Sequence, residues 1–537
     1  MESFEFIVVG AGSAGCVVAD RLSAAGHTVL VLEAGGADDD VFVKAPALFA
    51  GLFQGPHDWN YNSEPEPGLF GRRVFLPRGK MLGGSSSMNA MIYMRGSRAD
   101  FDGWSSEYGA TGWSYDDVLP HFTASENNAE FVDSFHGNEG GLNVTARRWL
   151  SPHADAFIES AVEAGIERNP DFNGAEQEGV GLFQLTAKDG RRCSAADAFL
   201  RPALERPQVT LITHATVHRV VVDDGAAVGV VYEHEGALHT VSVEREVILS
   251  AGAYNTPQIL MLSGIGPAEH LAEVGIPVLI DSPNVGQHLQ DHPLTILHWD
   301  TDQGDTLSDL ADPALFEQWM ADGSGKISSA AAEAAVLWKS DESLDSADFQ
   351  MVFVPGYFWE HGWRRPTTSG LTIALSYNRP TSRGSVRLRS ADPSDAPRIV
   401  SNLLSEEREV DAVVRAIGLV DRITAGGPLA KALGERVNPG RGVGADNLKD
   451  WIRAETQHMY HASCTARIGT PDDGVVDPEL RVHGIRGLRV VDASVMPRIT
   501  SGNTNAPTIM IGERGAAFIL DAADEAAAVP RVSVSAV

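Results

Sequence analysis

The sequence predicts an α/β protein built on a Rossmann-like domain that is discontinuous in the chain, with a second domain inserted into it. Three observations point there. The chain opens on an apolar strand, a glycine turn and a helix; a strand passing into a helix recurs after residue 246; and a short apolar strand followed by a helix begins at residue 488. At 537 residues the chain has room for several cores of the usual size of about 150 residues. It is 43% hydrophobic and 21% charged, with 54 Gly and 28 Pro spread along it, which excludes fibrous and wholly disordered readings.

The elements follow in order. Residues 6–9 form a run of strand formers, Val17, Val18 and Leu22 recur at helical spacing, and residues 28–32 are again apolar, which completes a βαβ unit. Further strands are predicted at 209–212, in a meander through 217–222 and 227–232, and at 246–250, leading into a helix over GAYNTPQILML. A strand at 488–491 and a helix at 508–520 close the pattern. Between Leu294 and Trp451 the character changes to alternating strands such as SVRLRS, a helix over 406–422 and polar loops such as 341–348, which marks the second domain. The final stretch, DAADEAAAVPRVSVSAV, has no apolar face and reads as a loose tail.

Charge and cysteines narrow the partners. With 72 acidic and 42 basic residues the formal charge is -30, which repels phosphate backbones and anionic membrane surfaces, so neither nucleic acid nor membrane is an expected partner. Cys16, Cys193 and Cys464 fall in no ligand spacing, so no disulfide framework and no metal site are expected. The opening MESFEF carries acids where a leader needs positive charge, and no uncharged apolar run reaches the roughly 18 residues that span a bilayer. The reading is a soluble, cytoplasmic protein that acts on small molecules, with a homodimer left open.

Gly10-x-Gly12-x-x-Gly15 sits between the first strand and its helix. The first glycine permits the tight turn, the second lets a pyrophosphate approach the backbone and the third lets helix and strand pack closely. Ser13 and Ala14 open the helix, whose free N–H groups and dipole favour an anion. Glu33, followed by Ala34, ends the next strand 18 residues after Gly15, where a carboxylate can bind a ribose diol. A glutamate there disfavours a 2'-phosphate, which leaves NAD or FAD.

Two further stretches carry a resemblance. GKMLGGSSSMNAMIYMRG at 79–96, followed by Asp102, and GAYNTPQILMLSGIG at 252–266 resemble the two signatures of the glucose-methanol-choline flavin oxidoreductases. With the glycine fingerprint and the segments around His461 and Asn503, the resemblance covers nearly the whole chain. It implies FAD, bound by residues 1–150, 191–293 and 452–537, and a substrate domain from 151–190 and 294–451 with a largely antiparallel sheet and helices on one side.

In this resemblance Gly83, Gly84 and Ser85, then Asn89, Ala90, Met91 and Ile92, lie against the flavin and its pyrophosphate, where bulky side chains would block it. Trp59 and Gly252 border the cofactor, and Val217 offers its backbone to the adenine. Asp492 and Ala493 contact the ribityl and pyrophosphate portion. Asn505 opens the last helix, with Pro507 in the first turn, where its missing N–H costs nothing; the helix start aims at the flavin N1–C2=O edge. Family members with covalent flavin bond it through a histidine in the first signature; Met88 occupies that position, so the FAD is expected to be non-covalent.

The resemblance also supplies a catalytic pair. His461 corresponds to the family's base, which takes the hydroxyl proton of an alcohol while hydride leaves for flavin N5, and Asn503 to the group that holds the substrate oxygen. His292, His288 and His298 read as structural. Leu294 stands where choline-type members carry an acid, so the expected substrate is a small neutral primary alcohol oxidised to an aldehyde, with Tyr357 and Tyr460 as further pocket candidates. O2 and another electron acceptor both fit the motifs, which leaves oxidase and dehydrogenase open. A flavin-dependent lyase or decarboxylase on the same scaffold is the reading of another class, and the His461/Asn503 pair argues against it.

Overall fold

The computed structural model describes residues 3–364, 366 and 368–528. Strand Ser3–Val9 pairs in parallel with Val29–Leu32 on one side and with the long strand Ala237–Leu249 on the other. Val29–Leu32 is buried at every residue, as a parallel strand covered on both faces must be. Val209–Ile212 extends the sheet beyond it, and Leu488–Val490 pairs in parallel with the end of Ala237–Leu249. The start of that long strand belongs instead to an antiparallel meander with Ala226–His234 and Thr216–Asp223. Among the described residues this makes one seven-stranded sheet, assembled from both ends and the middle of the chain.

Helix Ser13–Ala24 follows the glycine turn and packs against the C-terminal helix Asn505–Ala528. That helix starts at Asn505 and runs to Ala528, so the first part of the stretch expected to be a loose tail is helical. Asp, Glu and Ala in DAADEAAA carry no apolar stripe, but alanine has the highest helix propensity and lets the helix continue. The rest of that expected tail, 529–537, lies outside the described residues.

The second sheet is antiparallel, in the order Arg436–Asn438, Pro293–Thr301, Ser369–Tyr377, Phe349–Val354, Ala334–Trp338 and Gly179–Leu182. Its pleat separates two faces. Leu297, Met351, Phe353 and Ile373 pack with helices Glu407–Thr424 and Pro152–Glu163, whereas Leu294, Ile296, Val352 and Ala374 form a separate cluster facing the other way, towards the first domain. A small sheet of Gln287–Leu289, Gly384–Arg387 and Arg398–Val400 packs on helix Gly252–Leu262 through Leu289, Val386, Ile399 and Tyr254.

At the end of the first signature, a largely buried ionic cluster ties the chain together. Arg95 donates to Glu126, and His136 lies with Nδ1 3.1 Å from Glu126 and Nε2 2.9 Å from Asp171. Burial opposes the charge on His136, but these two carboxylates outweigh it and raise its pKa to about 9. Since an unfolded histidine titrates at about 6.5, the stabilisation is complete below that pH and is lost as pH rises through about 9. Thermal unfolding of the parent and His136→Gln across pH 6 to 10 should show a gap that closes at the alkaline end. A gap independent of pH would contradict the assignment.

Candidate active site

Two cavities meet between the domains. The larger, about 680 Å³, is bounded by Gly10, Gly12, Ser13 and Ala14 at the start of the first helix and by Glu33 and Ala34 at the end of the second strand. Trp59, Gly84, Ser85 and Asn89 form another part of its wall, and Val217, Gly252, Asp492, Ala493 and Asn505 complete it. The smaller, about 150 Å³, adjoins it, because Arg78, Ser85, Asn89, Tyr460 and Asn505 line both. Ala90, Met91 and Ile92 line the smaller cavity and not the larger.

The larger cavity fits a dinucleotide. A Cβ on Gly15 would fall 2.0 Å from the Gly10 carbonyl oxygen, so the third glycine serves helix–strand packing and does not face the cavity. Gly12 is different: a Cβ there would come no nearer to protein than 4.0 Å, and one on Gly252 would meet nothing within 4 Å, so both would project into the open space. The helix that starts at Ser13 has no side-chain cap on its leading N–H groups, which leaves donors for a pyrophosphate. Glu33 accepts the N–H groups of Ala11 (2.8 Å) and Gly35 (2.9 Å), one on each oxygen; each oxygen keeps a second lone pair for a hydroxyl. Gly83 stands behind this wall, its N–H donating to the Ala11 carbonyl at 2.8 Å. Asp492 accepts from the Gly252 N–H (2.8 Å) and the Thr256 hydroxyl (2.6 Å), which fixes the start of helix Gly252–Leu262 at the cavity.

His461 and Asn503 come together at the polar end of the smaller cavity, with Asn503 Nδ2 3.2 Å from His461 Nε2. The other ring nitrogen, Nδ1, lies 2.9 Å from Nδ1 of His292. Asp291 accepts the backbone N–H groups of both His292 and His461 at 2.8 Å. Its other oxygen lies 3.1 Å from His458 Nδ1, close but not aligned for a hydrogen bond. Burial, with His292 alongside, pushes the His461 pKa down to about 3 against the opposing pull of Asp291, so the imidazole is neutral at ordinary pH. His292, also buried, is depressed to about 4.

The rest of the smaller cavity is apolar. Leu294, Val352, Val354 and Ala374 come from the inward sheet face, and Phe49 and Phe53 face them from the short helix Pro46–Leu52 and its end, Phe358 from a loop. Tyr460 lies at the junction, its hydroxyl 2.6 Å from His361 Nδ1. Tyr357 is not brought to the cavity: its hydroxyl donates to Asp300 and its ring packs near His298, while its neighbour Phe358 takes the wall position. Sequence reasoning missed Asp291 and Phe358 and took His292 as merely structural. The run Gln290-Asp291-His292 held the available signal, two ionisable groups side by side at the point where the chain enters the second domain.

Known proteins resemble this chain along nearly its whole length. The GMC oxidoreductase family matches over residues 4–294 in its N-terminal part and 380–512 in its C-terminal part. An oxygen-dependent choline dehydrogenase of Rhizobium johnstonii is 39% identical over 532 residues, covering 96% of this chain and 95% of that protein. A namesake from Vibrio vulnificus is 39% identical over 530 residues, covering 97% and 94%. Among solved structures, pyridoxine 4-oxidase from Mesorbium loti superposes with a TM-score of 0.88 at 30% identity, covering 96% of this chain and 98% of the other. A formate oxidase of Aspergillus oryzae RIB40 reaches 0.92 at 27% identity, covering 98% and 99%.

Gly12→Val should fold, because its backbone is in an extended region open to any residue and the added atoms enter the cavity, not the core. It should purify with little flavin, measured as the ratio of flavin to protein absorbance. Full flavin content in that variant would show that the cavity holds the cofactor some other way.

Proposed function

The chain belongs to the GMC oxidoreductase family, and from that premise we propose that it oxidises a small neutral primary alcohol to its aldehyde, with His461 as the base and Asn503 holding the substrate oxygen. FAD-dependent oxidation of a CH–OH group is the activity of the chain. FAD, when bound in the larger cavity, supplies the acceptor for the hydride that leaves the alcohol carbon.

The observation that carries the choice of substrate is the composition of the smaller cavity. Among the described residues that line it no carboxylate occurs, and the one charged side chain is the cation Arg78. A quaternary ammonium such as choline would leave water for an apolar wall without a counterion, at a cost of several kcal/mol. A benzylic or medium-chain alcohol loses only its hydroxyl hydration, and Asn503 and His461 replace that.

The residues then divide the work. Nδ2 of Asn503 donates to the substrate oxygen and gains most when that oxygen turns anionic. Nε2 of neutral His461 takes the hydroxyl proton. The imidazolium that forms is stabilised by the Asp291 carboxylate, whose pull on the His461 pKa is upward, and its Nδ1–H points at His292. Leu294, Phe358 and their neighbours keep water from the reacting carbon. For the return of electrons we take O2 as the acceptor, supported by relatives named oxygen-dependent and by structural neighbours named oxidases. The three cysteines are free and buried, which supports a reducing, cytoplasmic setting.

His461→Ala should slow anaerobic flavin reduction by roughly 10² to 10⁴-fold, the range for a lost general base, while FAD remains bound. The defect should shrink as pH rises and more substrate is already alkoxide; Asn503→Ala should not recover in this way. Stopped-flow reduction against pH separates the two roles, and an unimpaired His461→Ala would remove His461 as the base. Acid precipitation should release all the FAD intact, since Met88 cannot form the histidyl bond. Flavin fixed to the precipitate would refute non-covalent binding.

A further inference from the structure

Behind the catalytic pair, on the inward face of the second sheet, lies a chain of buried polar side chains that the mechanism above does not use. Strand Phe349–Val354 alternates, so that Phe349, Met351 and Phe353 enter the helical core while Gln350 shares a face with Val352 and Val354, both of which line the cavity. A glutamine with 1% exposure in a strand that is otherwise apolar demands a polar partner. Gln350 finds one in the other domain: its Nε2 donates to Oδ1 of Asn503 at 3.0 Å. Its own Oε1 faces Nδ2 of Asn378 at 3.5 Å, and Oδ1 of Asn378 accepts from the Ser376 hydroxyl at 2.7 Å.

We propose that Gln350 is a positioning residue that fixes which way round the Asn503 amide sits and, through it, which nitrogen of His461 carries the proton. The logic is one of donors and acceptors. Once Oδ1 of Asn503 is committed to Gln350, the group that faces His461 is the Nδ2 donor, 3.2 Å from Nε2. A donor there requires a lone pair on Nε2. The ring proton then resides on Nδ1, which donates across 2.9 Å to Nδ1 of His292. That tautomer leaves Nε2 free to take the proton of an alcohol. With the Asn503 amide reversed, its oxygen would face Nε2 and favour Nε2–H, and the base would have no lone pair at the cavity.

The inference rests on the reading of His461 as base, but part of its test does not. Histidine-selective ¹⁵N NMR of the holoenzyme, with His461 assigned by its loss in His461→Ala, should show an unprotonated Nε2 and a protonated Nδ1. In Gln350→Met, which keeps the bulk and loses the donor, the two signals should move towards an average. In Gln350→Glu, whose carboxylate can only accept, they should move towards the Nε2–H form. Limiting flavin reduction at saturating alcohol should fall about tenfold in Gln350→Met, the scale of one net hydrogen bond, with the apparent Kd for alcohol nearly unchanged. The same substitution in an Asn503→Ala background should cost less than about twofold, because the route through Asn503 is already broken.

An unaltered His461 tautomer in both Gln350 variants would overturn the proposal, as would equal losses with and without Asn503. If the parent were reduced by no alcohol, the proposed function would fail, and the NMR comparison would still decide the role of Gln350.

Discussion

Asp291 accepts two backbone N–H groups, from its neighbour His292 and from His461, 170 residues further along the chain. This buried carboxylate joins the strand that enters the second domain to the segment that returns from it. Gln290 and Ser463 reinforce the junction with paired backbone bonds at 3.0 and 3.2 Å. The distance between the two imidazoles is a consequence of that junction, and so is the reach of His461 to Asn503. The carboxylate also sets the electrostatics: burial alone would make an imidazolium prohibitive, and Asp291 is the negative charge that opposes this. Against the cost of its own burial, the pKa of Asp291 is lowered by the neighbouring His458 and by the positive charge of Arg78.

Around this polar knot the molecule is arranged by the pleat of one sheet. Odd-numbered residues of Phe349–Val354 satisfy the helices, and even-numbered ones are left to face the first domain. The wall so formed is apolar except where Gln350 meets Asn503. The same period of two therefore supplies both the apolar surface of the smaller cavity and the Gln350 amide that reaches Asn503. The first domain contributes its share through loops that run between strands and helices, as expected where a parallel sheet presents its carboxyl ends. The larger and smaller cavities meet there because Ser85, Asn89 and Asn505 belong to both.

What the sequence made legible was local. Valine-rich strands, the glycine turn and Glu33 announce themselves by periodicity and by residue types with few other uses, and the structure brings Gly10, Gly12 and Glu33 to one cavity. His461 and Asn503 were legible through motif resemblance, and they meet. Tyr357 was not: in a loop after a strand, the choice of which of two adjacent aromatics turns inward depends on partners far away, here Asp300 and His298. Gln350 was hidden because a polar residue in a short apolar strand gives no sign of its partner 153 residues on. Asp291 was hidden because its donors are backbone N–H groups, which leave no mark in sequence.

The proposed selectivity for neutral alcohols follows from a carboxylate-free cavity adjoining a neutral imidazole. It is tested most directly by mixing the purified holoenzyme anaerobically with benzyl alcohol or with choline at equal concentration and following the bleaching of the flavin. Benzyl alcohol should bleach it at least about tenfold faster, since even a small part of the cost of burying an unpaired cation exceeds the roughly 1.4 kcal/mol that a tenfold rate requires. Choline bleaching the flavin as fast as benzyl alcohol would contradict it.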